Sequence, residues 1–280
     1  MQGKPVVVTG ATSGIGEVAA VELARQGARI VFVARNPLRR DTTLARLSVA
    51  NDKVKHTAYL ADLSRLSEMK RVAGEIAAAE PRIDVLINNA GAVFNARETT
   101  QDGLEMTFAT NHMAYFVVTN LLLAKLKATP GARIVSTSSD AHKSGKLDFE
   151  DLQSEKKYST FRAYGTSKLC NILFTRELAR RLAGTGVTAN CLHPGFVSTG
   201  FGDNNDGLMG LAFGILKKVG AITPEDGAKT IIYLASSPDV MGQSSGYYYK
   251  SALATPIAAA QSDADAKRLW EISAKIAGVG

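Results

Sequence analysis

The chain has 280 residues and a formal net charge of +7, from 33 Lys and Arg against 26 Asp and Glu. Its length suffices for one α/β domain with a large core, and no proline-rich linker, composition break or repeat divides it. The basic residues are scattered in pairs such as Arg39–Arg40 and Lys156–Lys157. This pattern is typical of solvated helix faces and argues against a nucleic-acid-binding stripe.

The cysteine, histidine and hydrophobic patterns limit the class of protein further. Two cysteines, Cys170 and Cys191, and four histidines without ligand spacing predict neither a disulfide framework nor a metal site. The first strand pattern begins within a few residues of Met1, which leaves no room for a signal peptide. No run of about 18 apolar residues predicts a membrane span. We therefore expect a cytoplasmic protein.

The beginning of the chain predicts a strand, a glycine-rich turn and a helix. Pro5–Val8 is a short apolar run typical of a buried strand, and apolar residues from Ile15 to Leu23 recur at helical spacing until Gly27. In the turn between them, glycines let the backbone approach a pyrophosphate, and the helix N-terminus offers free N–H groups. We predict a dinucleotide site here, and an ordinary strand–helix turn is the alternative. Its candidate residues are Gly10, Thr12, Ser13, Gly14, Ile15 and Gly16.

Strand and helix patterns alternate along the rest of the chain. Short runs rich in Val and Ile predict strands at Arg29–Ala34, Val54–Leu60, Val85–Asn88, Arg133–Thr137, Thr188–His193 and Gly246–Tyr249. Helical patterns lie near 37–49, 65–79, 102–127, 162–183, 224–236 and 262–277. This alternation predicts a doubly wound parallel sheet, the Rossmann fold, as a single domain over residues 1–280 with ligands at the carboxyl ends of the strands.

The charge at the end of the second strand indicates which dinucleotide binds. An NAD site places Asp or Glu about 20 residues past the glycines, whereas an Arg there accepts the 2′-phosphate of NADP. The strand ends in Arg35 and Asn36 without an acid, and Arg39 and Arg40 add positive charge nearby. We predict NADP(H) as the cofactor, and a surface Arg after a strand is the alternative.

Tyr164 and Lys168 lie four residues apart near the start of a helical pattern. On a helix such residues share a face, with Cβ atoms roughly 5–6 Å apart. A free Tyr titrates near 10, so a pKa of ~7 requires about 4 kcal/mol of preference for the phenolate. One cation at ~4 Å supplies about that much at an effective dielectric near 20. We expect Lys168 to lower the Tyr164 pKa, and an ordinary pair on a helix surface is the alternative.

Four motifs, taken together, resemble those of the short-chain dehydrogenases/reductases. In chain order they are Thr9-Gly10-x3-Gly14-x-Gly16, Asn88-Asn89-Ala90-Gly91, Tyr164-x3-Lys168 and Pro194-Gly195. Within that family, Asp151–Tyr158, Ser167–Phe174 and His193–Gly195 resemble the retinol dehydrogenase-like group, as does the long connection before Tyr164. The resemblance spans nearly the whole chain and implies reversible hydride transfer between a nicotinamide and a carbonyl or alcohol.

The resemblance implies four catalytic residues. Tyr164 would exchange a proton with the substrate oxygen, and Lys168 would lower the phenol pKa and bind the nicotinamide ribose. Ser139 would orient the substrate oxygen. The neighbouring Ser138 is the other candidate for this role, and a hydroxyl that only caps the backbone at the strand end is the alternative. Asn111 would fix a helix kink and a water relay to Lys168, and a purely structural buried Asn is the alternative.

The same resemblance implies further cofactor contacts. Asp62 and Leu63 would bind the adenine, although an Asp at this position is also typical of a helix N-cap. The backbone of Asn89–Gly91 would pack on the adenosine ribose, while Asn88 would stabilise the sheet. The nicotinamide carboxamide and the pyrophosphate would be bordered by Pro194, Gly195, Val197 and Thr199.

Residues 196–222 combine glycines with apolar side chains after a strand, which predicts either a mobile substrate lid or a surface helix packed on the core. The sequence and the resemblance together predict an NADP(H)-dependent oxidoreductase that interconverts a small lipophilic aldehyde or ketone and its alcohol. A non-catalytic NADP(H)-binding sensor or scaffold is the alternative from another class, and a light-dependent tetrapyrrole-reductase relative shares the Tyr and Lys motif. The resemblance also implies a homodimer or homotetramer that pairs through the Tyr164 helix and its neighbour.

Overall fold

The computed structural model describes residues 1–197 and 222–279. The strands are β1 (Pro5–Thr9), β2 (Arg29–Ala34), β3 (Thr57–Leu60), β4 (Val85–Asn88), β5 (Arg133–Thr137), β6 (Thr188–Leu192), β7 (Tyr247–Tyr249) and β8 (Ala252–Leu253). The α-helices are α1 (Gly14–Arg25), α2 (Pro37–Ala50), α3 (Leu66–Ala79), α4 (Met106–Phe108), α5 (Ala114–Lys127), α6 (Thr160–Arg181), α7 (Pro224–Ser236) and α8 (Asp263–Ala277). Between α4 and α5 lies a π-helical turn, Ala109–Met113.

All eight strands join one sheet in the order β3-β2-β1-β4-β5-β6-β7-β8. The pairs are parallel except for β7 with β8, which is antiparallel. The strand order reverses between β1 and β4, which is the switch point where doubly wound sheets bind ligands beyond the strand carboxyl ends. The predicted Rossmann fold is confirmed.

The core lies on both faces of the sheet because the strands are buried on both sides. Val7 and Val31 belong to a buried cluster that also contains Phe116 and Trp270. Successive side chains of a strand point to opposite faces, so Val8 belongs to a second cluster, packed with α1 and α7. Burial on both faces explains why the strands are continuous apolar runs rather than alternating ones.

One predicted strand differs from the structure by more than one residue, and one strand was not predicted, each for an identifiable reason. The strand predicted from Val54 begins only at Thr57, because the backbone N–H of Ile30 bonds to Nδ1 of His56 at 3.0 Å instead of to a strand carbonyl. Strand β8 was not predicted, because the turn before it uses Lys250 and Ser251 at φ of +49° and +59°. Such left-handed turn positions normally carry Gly or Asn, which are the residues that signal a hairpin.

Helix α8 covers the groove between α5 and α6. The Trp270 ring lies 4.9 Å from the Phe116 ring and 5.8 Å from the Phe174 ring, centre to centre. Nε2 of His112 lies 2.9 Å from Oγ of Ser273. The surface through which the resemblance implied pairing is therefore occupied by a helix of the same chain.

Only the ends of the predicted lid are described, and the rest of 196–222 lies outside the described residues. Val197 forms a bridge with Ile222, whose backbone N–H donates to the Phe196 carbonyl at 2.8 Å. Among residues 1–197 and 222–279, no helix combines the length and the apolar character that a bilayer span requires.

Candidate active site

The glycine-rich turn leaves the N-terminus of α1 open to a ligand. Gly10 and Gly14 adopt φ of +70° and +56°, which glycine does without steric cost. A Cβ at Gly16 would lie 2.2 Å from the Gly10 carbonyl oxygen, so only glycine fits there. Ser13 precedes α1 but its side chain does not cap the helix, which leaves first-turn N–H groups for an anion. The turn residues that retain exposure are Gly10, Thr12, Ser13, Gly14 and Ile15.

The loop after β4 is hydrogen-bonded to this turn. Oγ1 of Thr9 accepts the backbone N–H groups of Asn89 at 3.0 Å and of Ala90 at 3.2 Å. Nδ2 of Asn89 donates to the Gly10 carbonyl at 3.1 Å. The two loops are thus fixed against each other at the switch point, where a dinucleotide is expected to bind.

Asn88 and Asp62 both form hydrogen bonds within the protein. Nδ2 of Asn88 donates to Oγ1 of Thr119 at 2.8 Å inside the core, which joins β4 to α5, and the stabilisation of the sheet by Asn88 stays a prediction. Oδ1 of Asp62 accepts the backbone N–H and the hydroxyl of Ser64, at 3.0 and 2.9 Å. Because α3 begins two residues after Ser64, Asp62 caps a turn and the N-cap alternative is wrong. The buried Leu63 side chain packs in the core.

Arg35 directly follows β2, at the sheet edge where β1 leads into the glycine-rich turn. Its side chain is exposed and forms no hydrogen bond or ion pair with any residue that the structure describes. Nearby, Arg40 pairs with Asp41 at 2.7 Å, and Oδ1 of Asn36 caps α2 by accepting the Arg39 backbone N–H at 3.1 Å. Arg35 is therefore available to bind a phosphate directly at the strand end, and the exposed guanidinium of Arg39, in the first turn of α2, also has no partner among the described residues.

The π-helical turn contains Asn111, whose side chain bonds to the loop after β4. Oδ1 of Asn111 accepts the Ala92 N–H at 2.8 Å, and Nδ2 donates to the Ala92 carbonyl at 2.9 Å and to Oγ of Ser167 at 3.0 Å. A Cβ at Gly91 would lie 3.2 Å from Oδ1 of Asn111 and 3.4 Å from Nζ of Lys168, so both side chains approach the same point. The predicted helix irregularity is present, and the water relay stays a prediction.

The two serines after β5 have different environments. Ser138 is buried, and its hydroxyl donates to the Lys168 carbonyl at 2.8 Å. Ser139 is partly exposed, its hydroxyl accepts the Ala141 N–H at 3.2 Å, and a side-chain hydrogen bond joins it to Tyr164. This geometry favours Ser139 over Ser138 as the hydroxyl available to a substrate.

Tyr164 and Lys168 lie one turn apart on α6, with Nζ of Lys168 5.7 Å from the centre of the Tyr164 ring. Burial raises the pKa of Tyr164 to about 12, although the hydrogen bond with Ser139 acts in the opposite direction. Burial also lowers the pKa of Lys168 to about 7, while Nζ donates to the Thr137 carbonyl at 3.1 Å.

The expectation that Lys168 lowers the Tyr164 pKa is wrong for the protein by itself. Removal from water disfavours the charged form of each group, so the phenol pKa rises and the ammonium pKa falls. An amine with this pKa is only partly charged at neutral pH, and its attraction for a phenolate is correspondingly reduced. Tyr164 keeps its proton and is suited to act as a proton donor.

The segment after β6 approaches the glycine-rich turn. Gly195 adopts φ of +91° and Pro194 is partly exposed. A Cβ at Gly227, in α7, would lie 2.7 Å from a methyl of Val197 and 2.8 Å from a methyl of Ile15, so these two side chains lie side by side. Thr199 lies outside the described residues.

Sequence reasoning missed an aromatic group beside these residues. The His193 ring stacks on Tyr249 with centres 4.1 Å apart and on Tyr247 at 5.6 Å. His142 contacts Tyr247 edge to face at 5.3 Å, and its Nδ1 lies 2.8 Å from the Ser139 carbonyl oxygen. The run of tyrosines in a strand ending at the same sheet edge was the available signal.

Comparison with known proteins identifies the family. The model of the short chain dehydrogenase family matches residues 4–207, which is most of the chain. The chain belongs to the short-chain dehydrogenase family. Its predicted family membership is confirmed.

Relatives of this short-chain dehydrogenase include vertebrate retinol dehydrogenases. Retinol dehydrogenase 14 of Mus musculus is 41% identical over all of the chain and 87% of its own length. Retinol dehydrogenase 13 of Homo sapiens is 40% identical over 99% of the chain and 85% of its own length. The resemblance to the retinol dehydrogenase-like group is therefore confirmed.

Solved structures share the fold of this dehydrogenase. An uncharacterised protein from Mycobacterium paratuberculosis is 30% identical with a TM-score of 0.79, covering 99% of this chain and 94% of its own. A protein provisionally described as an NAD(P)-dependent gluconate 5-dehydrogenase from Beutenbergia cavernae, with NADP bound at low occupancy, is 28% identical with a TM-score of 0.72. That similarity covers 89% of this chain and 96% of the other.

The residues of this dehydrogenase fit a dinucleotide. The two left-handed glycines and the uncapped start of α1 supply N–H donors for a pyrophosphate. Arg35 is exposed at the end of β2, and Lys168 and Tyr164 lie on α6 beyond the end of β5. Within the described residues, no group of three or more His, Cys, Asp and Glu side chains could hold a metal ion.

Proposed function

We propose that the protein is an NADP(H)-dependent oxidoreductase that interconverts a lipophilic aldehyde or ketone and its alcohol. The observation that carries the proposal is the grouping of Ser139, Tyr164 and Lys168 beyond the end of β5, with Ser139 and Tyr164 hydrogen-bonded to each other. These side chains supply the proton-transfer and oxygen-binding groups that carbonyl reduction requires.

Tyr164 is the general acid in reduction and the general base in oxidation. Its raised pKa keeps the hydroxyl protonated at neutral pH, so the proton is available to a carbonyl oxygen as negative charge develops there. The Ser139 hydroxyl has one proton, so its hydrogen bond with Tyr164 is replaced by one to that oxygen when the substrate binds. NADP(H), when bound, supplies or accepts the hydride.

Lys168 and Asn111 hold the cofactor side of the site. Both side chains approach the backbone at Gly91, so a nicotinamide ribose hydroxyl there would be bonded by the Lys168 amine. Asn111 fixes the position of this loop through its two bonds to Ala92. A ligand that bonds Lys168 also favours its charged form, because hydrogen bonding to an ammonium raises its pKa.

Two considerations support a lipophilic substrate. The relatives from mouse and human are named retinol dehydrogenases, and retinol is a largely apolar alcohol. Phe161, three residues before Tyr164 at the start of the same helix, and Phe196, directly after Gly195, are exposed aromatic side chains. Large apolar side chains that remain exposed often mark binding surfaces.

The experiment that tests the reaction compares the wild type with Tyr164→Phe. We expect the wild type to oxidise NADPH in the presence of apolar aldehydes and ketones, and the variant to lose at least about 100-fold in kcat, because a general acid contributes 10²–10⁴-fold. NADPH fluorescence should show that the variant still binds the cofactor. Tyr233→Phe, which removes a hydroxyl from α7 outside the site, is the matched control. NADPH binding by the wild type without turnover across a broad panel would instead support a sensor or scaffold.

Cofactor preference is tested by Arg35→Asp. An acid at this position repels a 2′-phosphate and accepts the 2′-hydroxyl of NADH, so the KM for NADPH should rise by about 100-fold or more while that for NADH changes little. Arg39→Asp provides the same charge change in the first turn of α2 and should have a much smaller effect. Equal effects of Arg35→Asp on the two cofactors would contradict the assignment of NADP(H).

A further inference from the structure

A cavity of about 350 Å³ adjoins the candidate active site. Its lining includes two histidines, two tyrosines and an ion pair of 2.7 Å: His142, His193, Tyr247, Tyr249 and the pair Asp140–Lys143. Asp140 directly follows Ser139, and a Cβ at Gly195 would lie 3.5 Å from the Tyr249 ring. The cavity therefore lies next to the turn that carries the proposed substrate-orienting serine, and Tyr249 in its wall is near the proposed nicotinamide loop.

The two cavity histidines differ in their hydrogen bonding. Nε2 of His142 accepts the backbone N–H of Ile257 at 3.4 Å, and Nδ1 therefore carries the proton and donates to the Ser139 carbonyl at 2.8 Å. Both nitrogens of His142 are thus engaged by the protein. This histidine joins the serine turn to the segment after β8 and has no bond left for a ligand.

His193 has a buried nitrogen without a partner. The residue is only 8% exposed, and Nδ1 has no hydrogen-bond partner within residues 1–197 and 222–279. Burial lowers its pKa, so the imidazole is neutral at pH 7 and offers one donor and one acceptor nitrogen. The stacked rings of Tyr247 and Tyr249 hold its plane in place.

An unpaired buried polar atom of this kind indicates a missing partner. Buried polar side chains are nearly always hydrogen-bonded, and an unpaired one is costly to leave in place. His193 lines a cavity large enough for part of a small molecule, beside the turn that carries Ser139. Nδ1 itself is enclosed, whereas Nε2 also forms no hydrogen bond with the described residues and is the nitrogen that a polar group in the cavity would bond.

We propose that His193 determines substrate specificity by hydrogen-bonding a second polar group of the substrate, a hydroxyl or a further carbonyl. Preferred substrates are then carbonyl compounds with a lipophilic body and one additional hydrogen-bonding group, whereas plain hydrocarbon aldehydes and ketones are poorer substrates. A hydrocarbon body would close the cavity and leave the imidazole unpaired, which is how polar sites reject analogues that lack the polar group. The inference rests on the proposed carbonyl reductase activity.

The kinetic test uses NADPH and matched carbonyl pairs: cyclohexanone with its ring-hydroxylated derivatives, and decanal with its terminally hydroxylated derivative. We expect the wild type to favour the hydroxylated member of at least one pair by about tenfold in kcat/KM, the effect of one hydrogen bond. His193→Phe keeps a flat ring between the tyrosines but has no nitrogen, so this ratio should fall to about one, mainly through KM. Tyr249→Phe removes a hydroxyl from the same stack and should keep the ratio.

Three outcomes overturn the inference. In the first, the wild type prefers neither member of any pair. In the second, His193→Phe keeps the wild-type ratio of kcat/KM between the hydroxylated and the plain member. In the third, Tyr249→Phe loses this ratio while His193→Phe retains it. Thermal melting of both variants identifies a folding defect, and ¹⁵N-histidine spectra of the wild type then replace the variant. In those spectra the His193 nitrogen signals should shift on addition of a hydroxylated ligand but not of its plain partner.

The same spectra separate this inference from the proposed function. If no carbonyl compound is reduced, the reductase proposal fails, and the shift of the His193 nitrogens alone decides the inference. If both members of every pair are reduced equally and the signals do not move, the reductase proposal stands and the inference fails.

Discussion

At the scale of single residues, the sequence predicted which side chains meet but not their protonation. Tyr164 and Lys168 share a helix face, as their spacing requires, and Ser139, which the resemblance implied as the substrate-orienting hydroxyl, is hydrogen-bonded to Tyr164. The direction of the Tyr164 pKa change was wrong because burial acts on both partners, and spacing along a helix contains no information about burial. His193 was missed for the same reason, since its environment depends on a strand that lies about 55 residues further along the chain.

The depressed Lys168 pKa predicts how stability depends on pH in the cofactor-free protein. The folded pKa is about 7, below the unfolded value of 10.5, so the unfolded chain binds more protons throughout that interval. The free energy of unfolding should therefore rise with pH there, by up to about 1.4 kcal/mol per pH unit. Lys168 is 3% exposed, so screening by solvent is small.

Urea unfolding at several pH values between about 7 and about 9 measures this contribution. In the variant Lys168→Met the group is absent, and the stability of the wild type relative to the variant should increase as the pH rises. Other titrating groups occur in both proteins and cancel in the difference. Lys229→Met, at an exposed position on α7, should leave the slope of the wild type unchanged. Parallel curves for the wild type and Lys168→Met would contradict the depressed pKa.

At the scale of elements, the sequence predicts best where local pattern alone decides. Strands β2, β4 and β5 and helix α7 begin and end where predicted. The segment predicted as a helix over 102–127 begins instead at Met106 and contains the π-helical turn. The turn is specified by bonds from Asn111 to Ala92, about 20 residues earlier, which local periodicity cannot reveal.

Helix α8 should contribute strongly to stability through one side chain. Trp270 is 5% exposed, contacts Phe116 and Phe174, and lies under the guanidinium of Arg181, 4.5 Å from its ring centre. Replacing it by Ala removes a large buried ring and leaves a cavity, so Trp270→Ala should lower the free energy of unfolding by about 3–5 kcal/mol. Leu253→Ala, at an exposed position in β8, should cost less than about 0.5 kcal/mol.

Denaturant titration of the two variants gives both values. Because Trp270 lies in the groove between α5 and α6 rather than in the candidate site, Trp270→Ala should still bind NADPH at a temperature where it is folded. If Trp270→Ala lowered the free energy of unfolding by less than about 1 kcal/mol, α8 would be only loosely attached to the rest of the molecule.

At the scale of the whole molecule, α8 changes the expectation for assembly. Pairing through α5 and α6 would require an apolar face on those helices, and α8 already buries Phe116 and Phe174 there. A stable interface buries about 1,600 Å² in total with an apolar centre. In the described part of the chain, the exposed large hydrophobic residues are dispersed: Leu38 and Val49 lie near opposite ends of α2, and the others, Phe161, Phe196, Met241 and Leu253, lie in four further segments.

We therefore expect a protein of one-chain mass, 29.7 kDa, in light scattering at micromolar concentration. The net charge of +7 adds mutual repulsion between copies at low salt. Two obstacles to pairing are thus expected, the groove covered by α8 and the repulsion between charged copies, and measurement at low and high ionic strength separates them. High salt screens the charge, so the mass should stay unchanged if the covered groove is the main obstacle. A mass of two or four chains at both ionic strengths would restore the homodimer or homotetramer that the resemblance implied. It would also require an interface away from the groove that α8 occupies.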